Sequence, residues 1–129
     1  MRILLLADIH GNWPALQAIK EPFDECLVLG DLVDYGLEPS PCIQWVMSHA
    51  TRSIRGNHDH GVAQNVKVQG KSGFKYLTAI TRPVTQERIS TTERRFLSSL
   101  PVTSRFTMDN SRFLLVHATP RDPLDEYAV

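Results

Sequence analysis

Four short polar clusters carry the residue types that bind divalent metals and transfer protons. They are Asp8-Ile9-His10, Gly30-Asp31-Leu32-Val33-Asp34, Gly56-Asn57-His58-Asp59 and His117. Together they offer carboxylates, imidazoles and an amide, with few lysines or arginines to neutralise the carboxylates. Bringing several unpaired carboxylates together is costly, and a divalent cation removes that cost. Mixed oxygen and nitrogen ligands of this kind suit manganese, iron, zinc or a similar first-row ion.

Such a ligand set can support two-metal chemistry. One carboxylate can bridge two ions about 3.5–4 Å apart, and the pair then stabilises the attacking and leaving oxygens of a phosphoryl displacement. Each cluster taken alone has an ordinary explanation, because Asp8 could cap a helix and Gly30 could form a tight turn. The recurrence of the pattern along the chain is what favours a shared site.

Each cluster follows a segment that we predict to be a strand. The predicted strands are Arg2–Ala7, Cys26–Leu29, Thr51–Arg55 and Arg112–Val116. Most of them are continuous apolar runs without polar alternation, which is typical of strands buried on both faces of a parallel sheet. In open α/β sheets, ligand sites lie outside the carboxyl ends of the strands. The four clusters are therefore expected to meet at one edge of the sheet.

Helices are predicted between the strands. Asn12 can cap a helix that ends before Pro22, and Ser40-Pro41 can begin a second. Thr91 or Thr92 can cap a third that ends at Leu100, and a short helix is placed near Phe74–Ile80. Alternating strands and helices predict an α/β fold, with a mostly parallel sheet and flanking helices.

Composition indicates one ordinary globular domain over residues 1–129, with 42% hydrophobic and 22% charged residues. Fourteen basic and fourteen acidic residues cancel, so overall charge does not indicate nucleic acid or an anionic membrane as a partner. The chain has only two cysteines, no leader-like N-terminal segment and no apolar stretch long enough to cross a bilayer. These features predict a cytoplasmic protein.

Other phosphatase mechanisms lack their motifs in this chain. Cys26 is followed by Leu-Val-Leu rather than by a phosphate-cradling loop, which argues against a cysteine nucleophile. An aspartate-nucleophile phosphatase would want Asp-x-Asp after the first strand, where this chain has His10. The glycine-rich, lysine-containing loop of P-loop nucleotide hydrolases is absent as well.

The clusters resemble the motifs of the calcineurin-like metallophosphoesterases. Asp8-x-His10, Gly30-Asp31-x-x-Asp34 and Gly56-Asn57-His58-Asp59, followed by His117, match the family pattern in four places. The segments MRILLLADIHGN, LVLGDLVDYG and RGNHD are most similar to those of the small bacterial phosphoesterases of this superfamily. The resemblance runs from Ile3 to about Pro120 and implies a fold like the N-terminal half of a four-layer αββα sandwich.

The resemblance also implies a metal centre. Asp8 and His10 would bind the first ion, and Asn57 and His117 would bind the second. Asp31 would bridge both ions. The implied cofactors are two divalent ions, with Mn²⁺ favoured and Fe, Zn, Ni or Mg as alternatives.

The implied reaction is hydrolysis of a phosphomonoester or phosphodiester by attack of a metal-bound hydroxide. His58 would not be a ligand in this scheme. It would act on the leaving-group oxygen as a general acid or charge stabiliser, and Asp34 would orient its imidazole.

The chain departs from the family pattern in two places. Tyr35 stands where the protein phosphatases of the superfamily carry an arginine that contacts the phosphate, which weakens a protein-phosphatase assignment. The family's final Gly-His-x-His element, which adds a histidine to each metal, has no counterpart after His117. We therefore expect an incomplete domain with weaker metal binding and an apolar sheet face that can pair with a second copy. The alternative is a catalytically silent remnant that acts as a metal-binding or interaction module.

Several residues near the motifs are given structural interpretations. Asp59 is expected to fix its loop rather than to contact substrate, and Gly36 is interpreted as a turn residue. Arg55, Arg82 and Arg121 are interpreted as solvated surface charges.

Overall fold

The computed structural model describes residues 1–128, which contain a parallel sheet of three strands. The strands β1 (Ile3–Leu6), β2 (Glu25–Val28) and β3 (Arg52–Ser53) lie in the order β1-β2-β3. Leu4 pairs with Cys26, and Val28 pairs with Ser53. The predicted α/β fold with a parallel sheet and flanking helices is confirmed.

Five helices are present in the described chain. They are α1 (Trp13–Gln17), α2 (Pro39–His49), α3 (Asn57–Ala63), α4 (Gly73–Arg88) and α5 (Thr91–Ser99). The Asn12 side chain caps α1 by accepting from the amide of Ala15. Ser90, one residue earlier than predicted, caps α5 in a reciprocal pair with Glu93. Within residues 1–128, no helix has both the length and the apolar character needed to cross a membrane.

Two helices differ from the sequence predictions. The segment from Asn57 forms α3, where only a polar loop was expected. The short helix predicted near Phe74–Ile80 is the first half of a helix of 16 residues, α4. Pro83 lies inside α4, although proline removes a backbone donor and usually ends a helix. Packing of α4 against the rest of the fold offsets that local preference.

The predicted fourth strand of the parallel sheet is wrong in its pairing. Residues Ser111–Leu115 form β5, which pairs antiparallel with β4 (Ser104–Met108) in a separate two-stranded sheet. Asp109 and Asn110 join the two strands, and both have positive φ, as a two-residue hairpin turn of the type I′ class requires. The strand could be predicted because its apolar run is a local feature. Its pairing with β4 could not, because no local feature specifies the partner.

Each face of the parallel sheet has its own packing partners. Cys26 and Val28 pack with α-helical residues such as Ile43 and Leu97 in the larger core cluster. The alternate residues of the sheet turn to the opposite face, where Leu27 and Ile54 pack with Leu115 and Phe106 of the hairpin. The hairpin therefore covers the second face beside β2 and β3.

The second face is not fully covered at β1. Leu5 pairs with Leu27 in register, yet its side chain is 58% exposed while Leu27 is buried. We propose that this face pairs with a second copy, because association would bury the exposed apolar surface. Leu5→Asn should lower the dimer fraction seen by light scattering after gel filtration. Leu37→Asn, at a leucine that is 53% exposed in a loop, is the control and should change nothing. A strictly monomeric wild-type chain would contradict the proposal.

Candidate metal centre

The loops after β1 and β2 run side by side and bring the first two clusters together. The amides of Asp8, His10 and Gly11 donate to the carbonyls of Gly30, Asp31 and Leu32, over 3.0, 2.9 and 2.8 Å. These bonds set the backbone of the second cluster directly against that of the first. This backbone contact places the Asp31 carboxylate near the His10 imidazole, with 3.6 Å between Oδ2 and Nε2.

The backbone of both loops is strained. Asp8, His10, Asp31, Asp34 and Tyr35 all have positive φ, between 45° and 66°. Aspartate and histidine tolerate this region better than most residues, whereas a tyrosine in it is uncommon. Sparsely populated conformations of this kind cost about 1–3 kcal/mol each and cluster at functional sites. The strain is a reason to regard these loops as a site rather than as simple connections.

Gly36 has a packing role beyond that of a turn residue. A Cβ atom at this position would lie 2.2 Å from the carbonyl oxygen of His10 and 2.6 Å from the carbonyl carbon of Gly11. Only glycine allows the two loops to approach this closely. The loop contact that places Asp31 near His10 depends on this glycine.

The third cluster is attached to the second by Asp59. Its buried carboxylate accepts hydrogen bonds from the amides of Asp31, Leu32 and Gly56 over 2.7, 2.8 and 2.9 Å. Burial raises the pKa of Asp59 to about 7, and the Asp31 charge adds to this, while the three amide bonds act in the opposite direction. Asp59 thus fixes the loop, as its sequence position suggested.

His10 and Asp31 form one group of candidate ligands together with Asp8. The Nε2 atom of His10 lies 3.7 Å from Oδ1 of Asp8 and 3.6 Å from Oδ2 of Asp31. The Nδ1 atom of His10 lies 2.7 Å from the carbonyl of Val33. Donation from Nδ1 to that carbonyl leaves the Nε2 lone pair directed at the two carboxylates.

His117 and Asn57 form a second group around the same aspartate. The Nε2 atom of His117 lies 3.2 Å from Oδ2 of Asp31 and 3.1 Å from Oδ1 of Asn57. Its Nδ1 atom lies 2.8 Å from the carbonyl of Leu29, which again can fix the tautomer. Asp31 is therefore common to both groups.

The donor sets fit divalent ions. In a shell with metal–ligand bonds of about 2.1 Å, neighbouring ligand atoms lie about 3.0–3.4 Å apart, close to the separations found around Asp31. The hydrogen bond to Asp31 raises the pKa of His117 to about 9, although burial acts against this. Burial raises the pKa of Asp31, but His117 and His58 outweigh it and hold that pKa below its usual value. Both shifts have a common cause, the contact between the His117 imidazole and the Asp31 carboxylate.

His58 lies beside His10 and is held by Asp34. Its Nδ1 atom is 2.8 Å from Oδ2 of Asp34, and its amide donates to Oδ1 of Asp31 over 3.0 Å. The Nε2 atom faces Tyr35, whose hydroxyl lies 3.4 Å away. His58 is also close enough to His10 and Asp31 to share an ion with them, so distance alone does not distinguish a ligand from a proton donor.

Arg82 belongs to this region, although it was not predicted from the sequence as a site residue. It is 7% exposed and bonds the Asp34 carboxylate, so its interpretation as a solvated surface charge is wrong. Thr78, Arg82 and Thr85 lie on one face of α4, but polar residues at this spacing are equally typical of a solvated helix face, so the spacing does not indicate burial. All three are buried. Thr78 and Arg82 bond Tyr35 and Asp34 across the interface, whereas Oγ1 of Thr85 has no hydrogen-bond partner among the described residues.

All seven predicted site residues lie in one region, and most of them line an open cleft of about 390 Å³. Tyr35 and Phe74 stand along the same cleft with ring centroids 6.0 Å apart, and Phe74 is 76% exposed. Among the lining residues that the structure describes, none is lysine or arginine. The cleft thus combines a cluster of side chains that can bind metals with aromatic side chains.

Known proteins share both the sequence pattern and the fold. A family profile described as calcineurin-like phosphoesterase matches residues 1–127. An uncharacterized protein of Methanocaldococcus jannaschii is 30% identical, over 94% of this chain and 51% of its own. The crystal structure of a metallophosphoesterase from Sphaerobacter thermophilus is 30% identical with a TM-score of 0.80, covering 99% of this chain and 51% of that one. A hypothetical protein from Pyrococcus horikoshii shares the fold, with a TM-score of 0.79 at 23% identity, over 97% of this chain and 57% of that one.

The chain spans about half the length of the proteins that it matches. The part of this chain that the family profile matches, residues 1–127, contains all four motif clusters and both strands of the hairpin.

Proposed function

The chain belongs to the calcineurin-like phosphoesterase family, and we propose that it hydrolyses a phosphomonoester or a phosphodiester at the candidate metal centre. The observation that carries this proposal is the position of Asp31 between two histidine-containing ligand groups. A carboxylate shared in this way is the arrangement that two-metal phosphoryl hydrolysis needs.

Two divalent ions are the proposed cofactors, with Mn²⁺ favoured over Fe, Zn, Ni and Mg. Asp8, His10 and Asp31 would hold one ion, and Asp31, Asn57 and His117 would hold the other. When bound, the ions would neutralise the phosphate oxygens and activate water at neutral pH. Members of this family use divalent metals, and the oxygen and nitrogen donors present here suit them.

His58 is proposed to protonate the leaving-group oxygen or to stabilise its charge. Its Nδ1 atom is engaged by Asp34, which leaves Nε2 as the atom that can reach a substrate in the cleft. A positioned imidazole in this role typically contributes about 10²–10⁴-fold to the rate. Asp34 would act through His58 by holding its ring in one orientation.

The proposed substrate is an ester of a single phosphate with an aromatic or otherwise apolar group. The described part of the cleft has no lysine or arginine to bind additional phosphates. Tyr35 and Phe74 offer ring surfaces beside the ligand cluster, where an apolar leaving group can pack. Aryl phosphate esters are therefore the first compounds to test.

The test is metal-dependent hydrolysis of p-nitrophenyl phosphate and bis(p-nitrophenyl) phosphate. The chain is stripped with a chelator, dialysed, and assayed with and without added Mn²⁺, with bound metal measured in parallel. We expect turnover of at least one ester to require the added ion, because the carboxylates alone cannot activate water at neutral pH. Bound metal without turnover of either ester would instead support the alternative, a catalytically silent metal-binding module.

We also propose that the chain works in a reducing compartment such as the cytoplasm. Cys26 and Cys42 are free and buried. Burial raises the pKa of the Cys26 thiol to about 11, and burial together with the Glu38 charge raises that of Cys42 to about 12. Such thiols are poor nucleophiles and serve as small apolar core residues.

A further inference from the structure

Arg82 of α4 contacts the candidate site through Asp34. Its Nε atom donates to Oδ2 of Asp34 over 3.0 Å, and its Nη2 atom donates to the same oxygen. That oxygen is also the one that contacts Nδ1 of His58, at 2.8 Å. Arg82, Asp34 and His58 therefore form a continuous chain of polar contacts from the helix to the cleft.

The arginine occupies a closely fitted position. Its Nη1 atom donates to the carbonyl of Val66 over 3.0 Å. A Cβ atom at Gly61 of α3 would lie 2.3 Å from the same Nη1 atom. The absence of a side chain at Gly61 thus leaves the space that the guanidinium fills.

Asp34 needs a permanent cation beside it. Its side chain is completely buried, and an unpaired buried carboxylate is strongly destabilising. His58 can supply positive charge only while it is protonated, and a proton donor gives up that charge in each reaction cycle. A guanidinium keeps its charge throughout, and its planar fork restricts the carboxylate geometry.

Helix α4 also contacts Tyr35, the residue after Asp34 in the loop that follows β2. The hydroxyl of Thr81 accepts from the amide of Tyr35 over 3.0 Å. Asp34 and Tyr35 both have positive φ, so this part of the loop needs external contacts to keep its conformation. Helix α4 supplies those contacts through adjacent residues, Thr81 and Arg82.

We propose that Arg82 is a positioning residue for His58. Through its contacts with Asp34 it fixes the carboxylate that holds Nδ1, and this keeps Nε2 directed into the cleft. The proposal rests on the proposed role of His58 in phosphoester hydrolysis, but the orientation of the ring can be measured without turnover.

The first test observes the His58 ring by nuclear magnetic resonance in the metal-free chain. The hydrogen-bonded Nδ1 proton is assigned by its loss in His58→Gln. Arg82→Gln should remove or strongly shift this signal, whereas Arg94→Gln should leave it in place. Arg94 is a suitable control because it also anchors α3, through the carbonyl of Val62, but has no contact with Asp34.

The second test separates positioning from general stability. In Arg82→Gln with wild-type metal content, kcat for an aryl phosphate ester should fall about 10- to 100-fold at nearly unchanged KM, as for other residues that orient a functional group. Arg82→Lys keeps the charge without the fork and should give an intermediate kcat. The change Arg82→Gln should have little further effect in an Asp34→Asn background, because the arginine acts through that carboxylate.

An unchanged His58 signal in a folded Arg82→Gln chain would overturn the proposal. If Arg82→Gln does not fold, Arg82→Lys and the Asp34→Asn/Arg82→Gln double variant, which leaves no orphaned buried charge, take its place. An Arg82→Lys chain with the wild-type signal and wild-type kcat would also overturn it. Absence of turnover in the wild-type chain would contradict the proposed function instead, and the resonance experiment would then decide the role of Arg82.

Discussion

Replacing Asp31 by asparagine is expected to abolish binding of both metal ions. Asparagine keeps the shape of the side chain but removes the charge that faces His10 and His117 at 3.6 and 3.2 Å. The affinity for Mn²⁺ should fall by more than the roughly 10- to 100-fold seen when only an outer-shell partner of a metal site is changed. Bound metal is measured by atomic spectrometry after equal loading of both chains and dialysis.

Asp8→Asn is the matched control for this experiment. Asp8 lies near His10 and also within ligand distance of Asp31 and His117, but it is exposed and is assigned to only one of the two proposed ions. We therefore expect Asp8→Asn to retain one of the two ions, while Asp31→Asn retains neither. Equal metal content in Asp31→Asn and in the wild type would remove Asp31 from its bridging position.

His58→Ala is expected to lower turnover by roughly two to four orders of magnitude while the metal content stays the same. The imidazole is held by Asp34 and faces the cleft, so its loss removes the proposed proton donor. Asp34→Asn should have a smaller effect on the rate, because the imidazole itself is retained. Rates are measured with an aryl phosphate ester at saturating Mn²⁺ and divided by the metal bound.

His60→Ala separates this effect from damage to α3. His60 lies on the same helix and contacts Arg55 over 3.0 Å, away from the candidate ligands. Its replacement should leave the rate per bound metal nearly unchanged. If His58→Ala lost metal and kept its rate per bound metal, His58 would be a ligand, a role that its distance from His10 and Asp31 also permits.

The ligand types and their places at strand ends could be predicted from the sequence. Few residue types bind first-row ions, and a buried parallel strand leaves a local apolar run just before its carboxyl end. Asp8 and Asp31 stand just beyond such strands, Asn57 follows a weaker strand that was predicted partly from the polar cluster after it, and the structure brings all three together at one edge of the sheet. Local chemistry and the known geometry of α/β sheets were sufficient for this step.

The hairpin and the long α4 helix could not be predicted in the same way. Residues Arg112–Val116 have a strand pattern, but no local feature specifies which strand will pair with them. Pro83 argued against a helix as long as Gly73–Arg88, and tertiary contacts offset that preference. The pairing of the hairpin and the length of α4 are therefore both set by contacts that a local sequence pattern does not specify.

The partners of the residues that hold the site in place were decided by tertiary structure alone. Asp59 accepts from amides 27 and 28 residues away, and Arg82 bonds a carboxylate 48 residues away. An arginine in a polar helix has the same sequence pattern whether its charge is solvated or buried. Only the approach of α4 to the loop after β2 makes Arg82 a partner of Asp34. Metal-ligand types can be predicted because coordination chemistry admits few of them, whereas charge pairing admits any residue of opposite sign that packing brings within reach.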